Sequence, residues 1–294
     1  MRVADSAKAL ATAGMDKGFR GMKINSPDNE RIKYLARLRK SAEFRRQERK
    51  FLIEGPAAVR SILMNRRRPL EIFWCLHLLQ EPSAILEAAE KLKIPLTELS
   101  SKAFAKISDV QSPLGIAALF PFFEYDPMEL FRNRAALFIC CHGVQDPGNL
   151  GTLIRTADAA GAAAVITLPP SASFYNPKVV RASAGSILNI PLLSLEENEF
   201  LNYTKKFGLH LFAAVPRGGR PFRKVVFKRP CCIMLGSEAH GLPSAIRNIS
   251  TPVTIPMREG VESLNTAVAG ALLLYQTAVA YASQLQRRSG EGEK

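Results

Sequence analysis

Arg155 is the residue most in need of an explanation. It stands in VQDPGNLGTLIRTADAAG (residues 144–161), a turn at Pro147 and Gly148 running directly into a helical pattern. Its neighbours Leu153, Ile154, Ala157 and Ala160 are apolar or small and assign Arg155 to the inner face of that helix. A guanidinium there is costly to desolvate unless an anion or a hydrogen-bonding group meets it. Either a structural carboxylate or a substrate fills that role. Asn149 can cap the same helix while offering its amide to a ligand.

Two further segments carry polar groups in the same setting. In IMLGSEAHGL (233–242), Gly236 permits a close backbone approach just after a strand and Glu238 places a carboxylate there; Gly241 and Pro243 then open a helix. In TIPMREGVESLNTAVAGALLLYQ (254–276), Ser263, Asn265 and Thr266 sit at the entry of a helix of small and apolar residues. Ser263 can serve as its N-cap, and the free N–H groups of that helix start can face a ligand. Each segment alone reads as an ordinary strand-to-helix turn. Together they fall after predicted strands, on one rim of a sheet, where ligands of open α/β sheets bind.

The elements that must position them alternate along the chain. Predicted strands at 135–141, 163–168, 209–215, 231–235 and 252–255 are separated by helices near 149–160, 176–186, 195–207, 241–248 and 263–286. That order implies a mainly parallel sheet covered on both faces. A smaller α/β unit precedes it. FLIEG, LEIFWCL, IPLTEL and GIAALF read as strands, and PAAVRSILMN, EPSAILEAAEKLK and SSKAFAKISD as helices. The boundaries read as a flexible extension over 1–28, a first domain over 29–120, a linker over 121–134 rich in proline and charge, and a second domain over 135–288. The last residues, RRSGEGEK, read as frayed.

The chain has 294 residues, a formal charge of +14 and 47% apolar residues. Such a composition is globular, and the charge fits a polyanionic partner, nucleic acid before an anionic membrane surface. Residues 1–70 hold 18 of the 40 basic residues but only 7 of the 26 acidic ones. Within them, NERIKYLARLRKSAEFRRQERK (29–50) spaces Ile32, Leu35 and Leu38 as one basic helix. A solvated surface helix and an RNA-contacting arm both fit, and the clustered charge favours the arm, with Arg45, Arg46, Arg49 and Lys50 as contacts. Five cysteines, Cys75 and the adjacent pairs Cys140–Cys141 and Cys231–Cys232, lie in apolar runs. Neighbours on one strand point to opposite faces and chelate poorly, so they read as reduced core residues with no metal. No apolar run reaches membrane-spanning length.

Taken in order, NLGTLIRTADAAG, LGSEAHGL and IPMREGVESLNTAVA resemble the three motifs of the SpoU (TrmH) branch of the SPOUT RNA methyltransferases. The resemblance spans about residues 130–286, including NPKVVRASAGSILNIPL between the first two motifs. FLIEGPAAVRSIL through SPLGIAALF is similar to the small substrate-binding domain of the rRNA-directed members. The resemblance implies an α/β SPOUT fold with a deep trefoil knot, a rare exception to unknotted topology. It implies S-adenosylmethionine as cofactor, held around Gly236, Ile255 and Leu264 with Leu235 and Met257 beside them. It also implies a homodimer and methylation of a ribose 2′-hydroxyl in RNA. By the same resemblance Arg155, Asn149, Glu238, Ser263 and Asn265 are the catalytic set, Arg155 being presented to the partner subunit's cofactor. Arg258 and Glu259 depart from the small residues usual after I-P-M.

The rRNA preference rests on the first domain. A tRNA methylase, a resistance-type methylase and a catalytically silent RNA-binding assembly factor are the alternatives. A NAD-dependent oxidoreductase fails on the missing G-x-G-x-x-G. Reduced cysteines and the lack of a signal-peptide core point to the cytoplasm, or to mitochondria if the basic N-terminal extension is a transit peptide.

Overall fold

The structure is a computed structural model and describes residues 22–55, 67–79 and 83–291. The helix expected over 56–65, most of the N-terminal extension and the final three residues lie outside them. The chain divides into two compact units, Met1–Phe122 and Phe123–Lys294.

The first unit holds β1 (Met22–Ile24), α1 (Glu30–Lys40), α2 (Ala42–Glu48), β2 (Lys50–Glu54), β3 (Glu71–Trp74), α3 (Ser83–Lys91), β4 (Leu96–Leu99), α4 (Ser101–Ile107) and β5 (Ile116–Pro121). Its sheet runs β1-β4-β3-β5-β2, with β5 antiparallel to both neighbours and the other pairs parallel. Ile32, Leu35 and Leu38 of α1 are buried against Phe73, Phe104 and Leu119, so the helical period read from the sequence is the core-facing stripe. Two expectations change here. Residues 22–24, read as extension, form the edge strand β1. The single basic helix is two helices, because Ser41 is extended (φ −102°, ψ 116°) and its Oγ accepts the Phe44 N–H to cap α2. A serine that competes for backbone hydrogen bonds is favoured at a cap and not inside a helix.

The second unit holds α5 (Pro127–Arg132), β6 (Leu137–His142), α6 (Pro147–Ala159), β7 (Ala164–Leu168), α7 (Pro177–Ala182), β8 (Leu192–Ser194), α8 (Glu197–Phe207), β9 (His210–Ala214), β10 (Arg220–Pro221), β11 (Cys231–Leu235), α9 (Ser244–Asn248), β12 (Thr251–Thr254) and α10 (Thr266–Glu291). The seven strands run β10-β12-β9-β11-β6-β7-β8 and every pairing is parallel. The central strands β7 and β11 are buried at every position, as expected for a parallel sheet covered on both faces.

The segment read as a linker is partly structure. Asp126 caps α5, Pro127 opens it, and fully buried Phe131 stacks on Phe138 and Tyr203 with centroids 4.9 Å apart in each pair. Asp-Pro punctuates loops and also starts helices; here it starts one. The short strands β8 and β10 had no period long enough to announce them. The final helix extends to Glu291, past the expected frayed end at 287.

The five cysteines are free and buried. Burial pushes the Cys231 thiol up to about 12 and raises Cys141 and Cys232 as well. Cys141, Cys231 and Cys232 are therefore neutral core groups and not nucleophiles. Among the described residues no helix is long and apolar enough to cross a membrane, and no three His, Cys, Asp or Glu side chains gather as metal ligands.

Candidate active site

Uniform strand direction brings the loops after β6, β9, β11 and β12 to one edge of the sheet. There the three motif segments are joined side chain to side chain. Asn149 Nδ2 donates to Glu238 Oε1 at 2.6 Å, and Asn265 Nδ2 donates to Asn149 Oδ1 at 2.9 Å. Residues far apart in sequence thus form one hydrogen-bonded chain, with Asn149 at its centre.

Both expected caps are reassigned. Asp146, not Asn149, caps α6: its Oδ1 accepts the Asn149 N–H at 2.7 Å, with Pro147 at the first helical position. Asn265, not Ser263, caps α10: its Oδ1 accepts the N–H groups of Ala267 and Val268 at 2.9 and 3.2 Å. The substitutions matter chemically. Relieved of capping, the Asn149 amide is available to Glu238, and one face of Asn265 is locked by the helix while the other holds Asn149.

The expectation that Arg155 lies inside is overturned. Leu150, Leu153, Ile154 and Ala157 form the buried stripe of α6, while Arg155 shares an exposed stripe with Thr152 and Ala159. At 100° per residue, Ile154 and Arg155 fall on either side of the boundary between core and solvent. Among the described residues no carboxylate forms an ion pair with the guanidinium. It is presented outward, off the buried stripe of α6.

Beside that chain lies a cleft of about 700 Å³, within the usual ~300–1,000 Å³ of small-ligand sites. Leu235, Gly236, Ile255, Met257 and Leu264 all line it, and so do Glu238 and Ser263. Ser263 is exposed and stands on the wall, outside the hydrogen-bonded chain. The turn after β11 is tight: Ser237 and Gly241 exchange backbone hydrogen bonds of 3.2 and 2.9 Å. An added Cβ at Gly236 would overlap the backbone of Gly241 and Leu242, so the turn closes only over a glycine. Gly241 closes this turn at φ +66° and does not open a helix; α9 begins at Ser244.

Sequence reasoning passed over one wall of the cleft. Val215, Arg217 and Gly218, after β9, line it, as does Arg247 of α9. The signal was present: AVPRGG follows a predicted strand just as the three motif loops do, and the same rule of strand ends applies.

The predicted RNA contacts divide. Arg45 is 5% exposed and donates through one guanidinium nitrogen to the carbonyls of Leu38 and Arg39, both at 2.7 Å. It closes the end of α1 and is not a surface contact. A basic side chain satisfying the last carbonyls of a helix is a tertiary choice that charge clustering does not reveal. Lys50 is half-buried, 3.7 Å from Glu48 and over the Tyr34 ring. Arg46 and Arg49 are exposed.

With that geometry in place, comparison with known proteins is direct. Residues 136–275 match the SpoU rRNA methylase family, and residues 29–118 match the MRM3-like substrate-binding domain. The 23S rRNA (guanosine(2553)-2′-O)-methyltransferase RlmP of Bacillus subtilis is 31% identical over 253 residues, covering 86% of this chain and 97% of its own. The chain belongs to the SpoU rRNA methylase family. A crystallised RNA 2′-O ribose methyltransferase is 32% identical to this SpoU chain at a TM-score of 0.74, over 89% of this chain and all of the other. The fold is shared with the AdoMet-bound rRNA methyltransferase of Sinorhizobium meliloti, at 24% identity and a TM-score of 0.78, over 88% of this chain and 98% of the other.

Proposed function

We infer that this SpoU protein transfers a methyl group from S-adenosylmethionine to a ribose 2′-hydroxyl of rRNA. The observation that carries the reading is the hydrogen-bonded chain Glu238–Asn149–Asn265, whose Glu238 lines the 700 Å³ cleft. The residues present fit the cofactor. The backbone around Gly236, Ile255 and Met257, with Leu235 and Leu264, would hold it, and when bound it supplies an already activated methyl group.

What remains for the protein is alignment of the ribose oxygen and management of its proton. Glu238 and Asn265 hold Asn149 from both sides, so its amide is fixed before substrate arrives. A guanidinium with a pKa above ~12 is a poor base. Arg155 is therefore a binder of RNA phosphate and a stabiliser of charge developing on the ribose oxygen, with Ser263 positioned on the cleft wall to orient the substrate.

The same reading includes a homodimer. It is supported by Val268, Leu272, Tyr275 and Val279, a run of exposed apolar side chains at helical spacing along α10, and by Arg155 facing outward on α6. In the dimer each Arg155 serves the partner's cleft. Leu272→Glu is expected to shift sedimentation from dimer to monomer and abolish transfer; a monomeric wild-type protein would remove the dimer from the reading. The trefoil knot belongs to the same proposal, supported by β12 inserting between β9 and β10 after the chain has laid β11 on the other side of β9. We place the protein in the cytoplasm, a reading supported by its free buried thiols, with mitochondria as the alternative.

Transfer of labelled methyl from S-adenosylmethionine to unmodified rRNA and tRNA transcripts tests the function. Label is expected in rRNA ribose. Label confined to tRNA would replace the substrate; no label despite cofactor binding would leave an RNA-binding assembly factor.

A further inference from the structure

A second cavity, of about 440 Å³, adjoins the first on the same rim. The two share the turn Ser237–Leu242 and Thr266 as a common wall, and Glu238 lines both. The second is built from the loops after β6, β7 and β11. His142, Gln145, Asp146 and Pro170 belong to it alone, and His240 stands at the shared wall. Neither histidine and none of the other three has a place in the alignment scheme above beyond the Asp146 cap.

Transfer requires two ligands whose reacting atoms come within ~3–3.5 Å. Two adjoining cavities, each within the range of small-ligand sites, with Glu238 on their shared wall, give the two ligands neighbouring places. The lining of the smaller one suits an unstacked nucleoside. RNA bases are read singly, on flat rings and by hydrogen bonds to their edges. The imidazole of His240 supplies a flat surface and the ring of Pro170 an apolar one; the exposed Gln145 amide supplies a donor and an acceptor. One oxygen of Asp146 accepts the Asn149 N–H, which leaves the other to accept an N–H of a base. His142 is held by Glu197 at 3.2 Å, so this wall is fixed by a partner outside the cavity.

We propose that this second cavity takes the target nucleoside, extruded from its RNA, and that Gln145 contributes to reading its base. The inference rests on the methyl-transfer reading and is tested so that the two can fail separately.

Gln145→Trp fills the cavity from an exposed position, and Gln145→Ala removes the amide without filling it. The expected result is a fall of tenfold or more in kcat/KM for unmodified rRNA transcript with the tryptophan variant and about threefold with alanine. Cofactor affinity and the dimer stay unchanged. A kcat/KM within twofold of wild type overturns the proposal. So does a parallel loss of cofactor affinity, which would make the cavity an annex of the cofactor cleft, or dissociation of the dimer, which would make it an interface.

A readout without turnover accompanies these variants. Transcripts carrying 4-thiouridine or 6-thioguanosine are irradiated on the whole protein with S-adenosylhomocysteine present. Crosslinks are expected on the peptides holding 142–146 and 170; crosslinks confined to other peptides overturn the assignment. If wild type transfers no methyl yet crosslinks there, the site stands and the transfer reading falls. If wild type transfers methyl but crosslinks elsewhere, only the site falls.

Discussion

The two sheets of this protein share a dominant strand direction and differ in what their loops carry. In the second unit all seven strands are parallel, so every strand ends on the same rim and its loops converge. Asn149, Glu238 and Asn265 meet there from three separate loops. In the first unit β1, β2, β3 and β4 also share one direction and only β5 is reversed, so its loops too leave mostly from one end. Its polar side chains serve its own structure: Arg45 closes α1, and Glu54 accepts the Ser108 hydroxyl at 2.8 and 2.9 Å and the N–H groups of Asp109 and Leu114. A shared strand direction gathers loops, and the side chains those loops carry decide whether a site results.

One arginine in each unit sharpens that contrast. Arg155 in the catalytic unit is exposed and pairs with no carboxylate among the described residues, while Arg45 in the other is buried and satisfied. Arg155→Ala is expected to lower kcat by about 10²–10³, the usual cost of losing one stabiliser of developing charge, and to change stability by less than ~0.5 kcal/mol, as exposed substitutions do. Single-turnover methyl transfer and thermal melting check the two halves. A variant that melts early while its folded fraction still turns over would assign Arg155 to structure and break the contrast.

Arg45→Ala is expected to do the reverse. Losing two hydrogen bonds to the end of α1 costs about 2 kcal/mol, read as a shifted denaturation midpoint with an unchanged slope. Transfer per folded molecule should be retained. Its RNA affinity should also keep the wild-type salt dependence, since a buried guanidinium neutralises no phosphate.

The exposed neighbours give a smaller effect of another kind. Arg46→Ala and Arg49→Ala are each expected to reduce the slope of log affinity against log salt by about 1, the signature of a lost phosphate contact. A slope identical to that of Arg45→Ala would take α2 out of the RNA interface.

The smallest effect lies in the first unit alone. Burial, and then the hydrogen bond donated to Glu48 at 2.7 Å, push the Tyr34 hydroxyl up to about 12. Because the folded state holds this proton more tightly than the unfolded chain, which releases it near 10, the stabilisation is complete below pH ~10 and is lost as pH rises toward 12. Absorbance titration should show late-ionising tyrosine, Tyr203 being raised by burial as well, and Tyr34→Phe should remove part of that late phase; a late phase unchanged in the variant would assign it elsewhere.

What the sequence by itself determined is the part that local patterns encode. Apolar runs spaced by helical stripes announce alternating strands and helices, and glycine-bearing turns after strands announce a binding rim. Of the residues that the family resemblance singled out, Leu235, Gly236 and Ile255 reach the cleft at strand ends, and Met257 and Leu264 reach it from the loop between β12 and α10. Only the tertiary structure decided which side chains are buried and which polar neighbour takes which partner. The choice between Asp146 and Asn149, or Asn265 and Ser263, as helix cap turns on about 1 kcal/mol or less among good capping residues, which spacing cannot resolve. The inversion of Arg155 and Arg45 has the same origin. A helix position one residue from the core boundary, or a guanidinium within reach of a helix end, is placed by what packs against it, and those groups lie elsewhere in the chain.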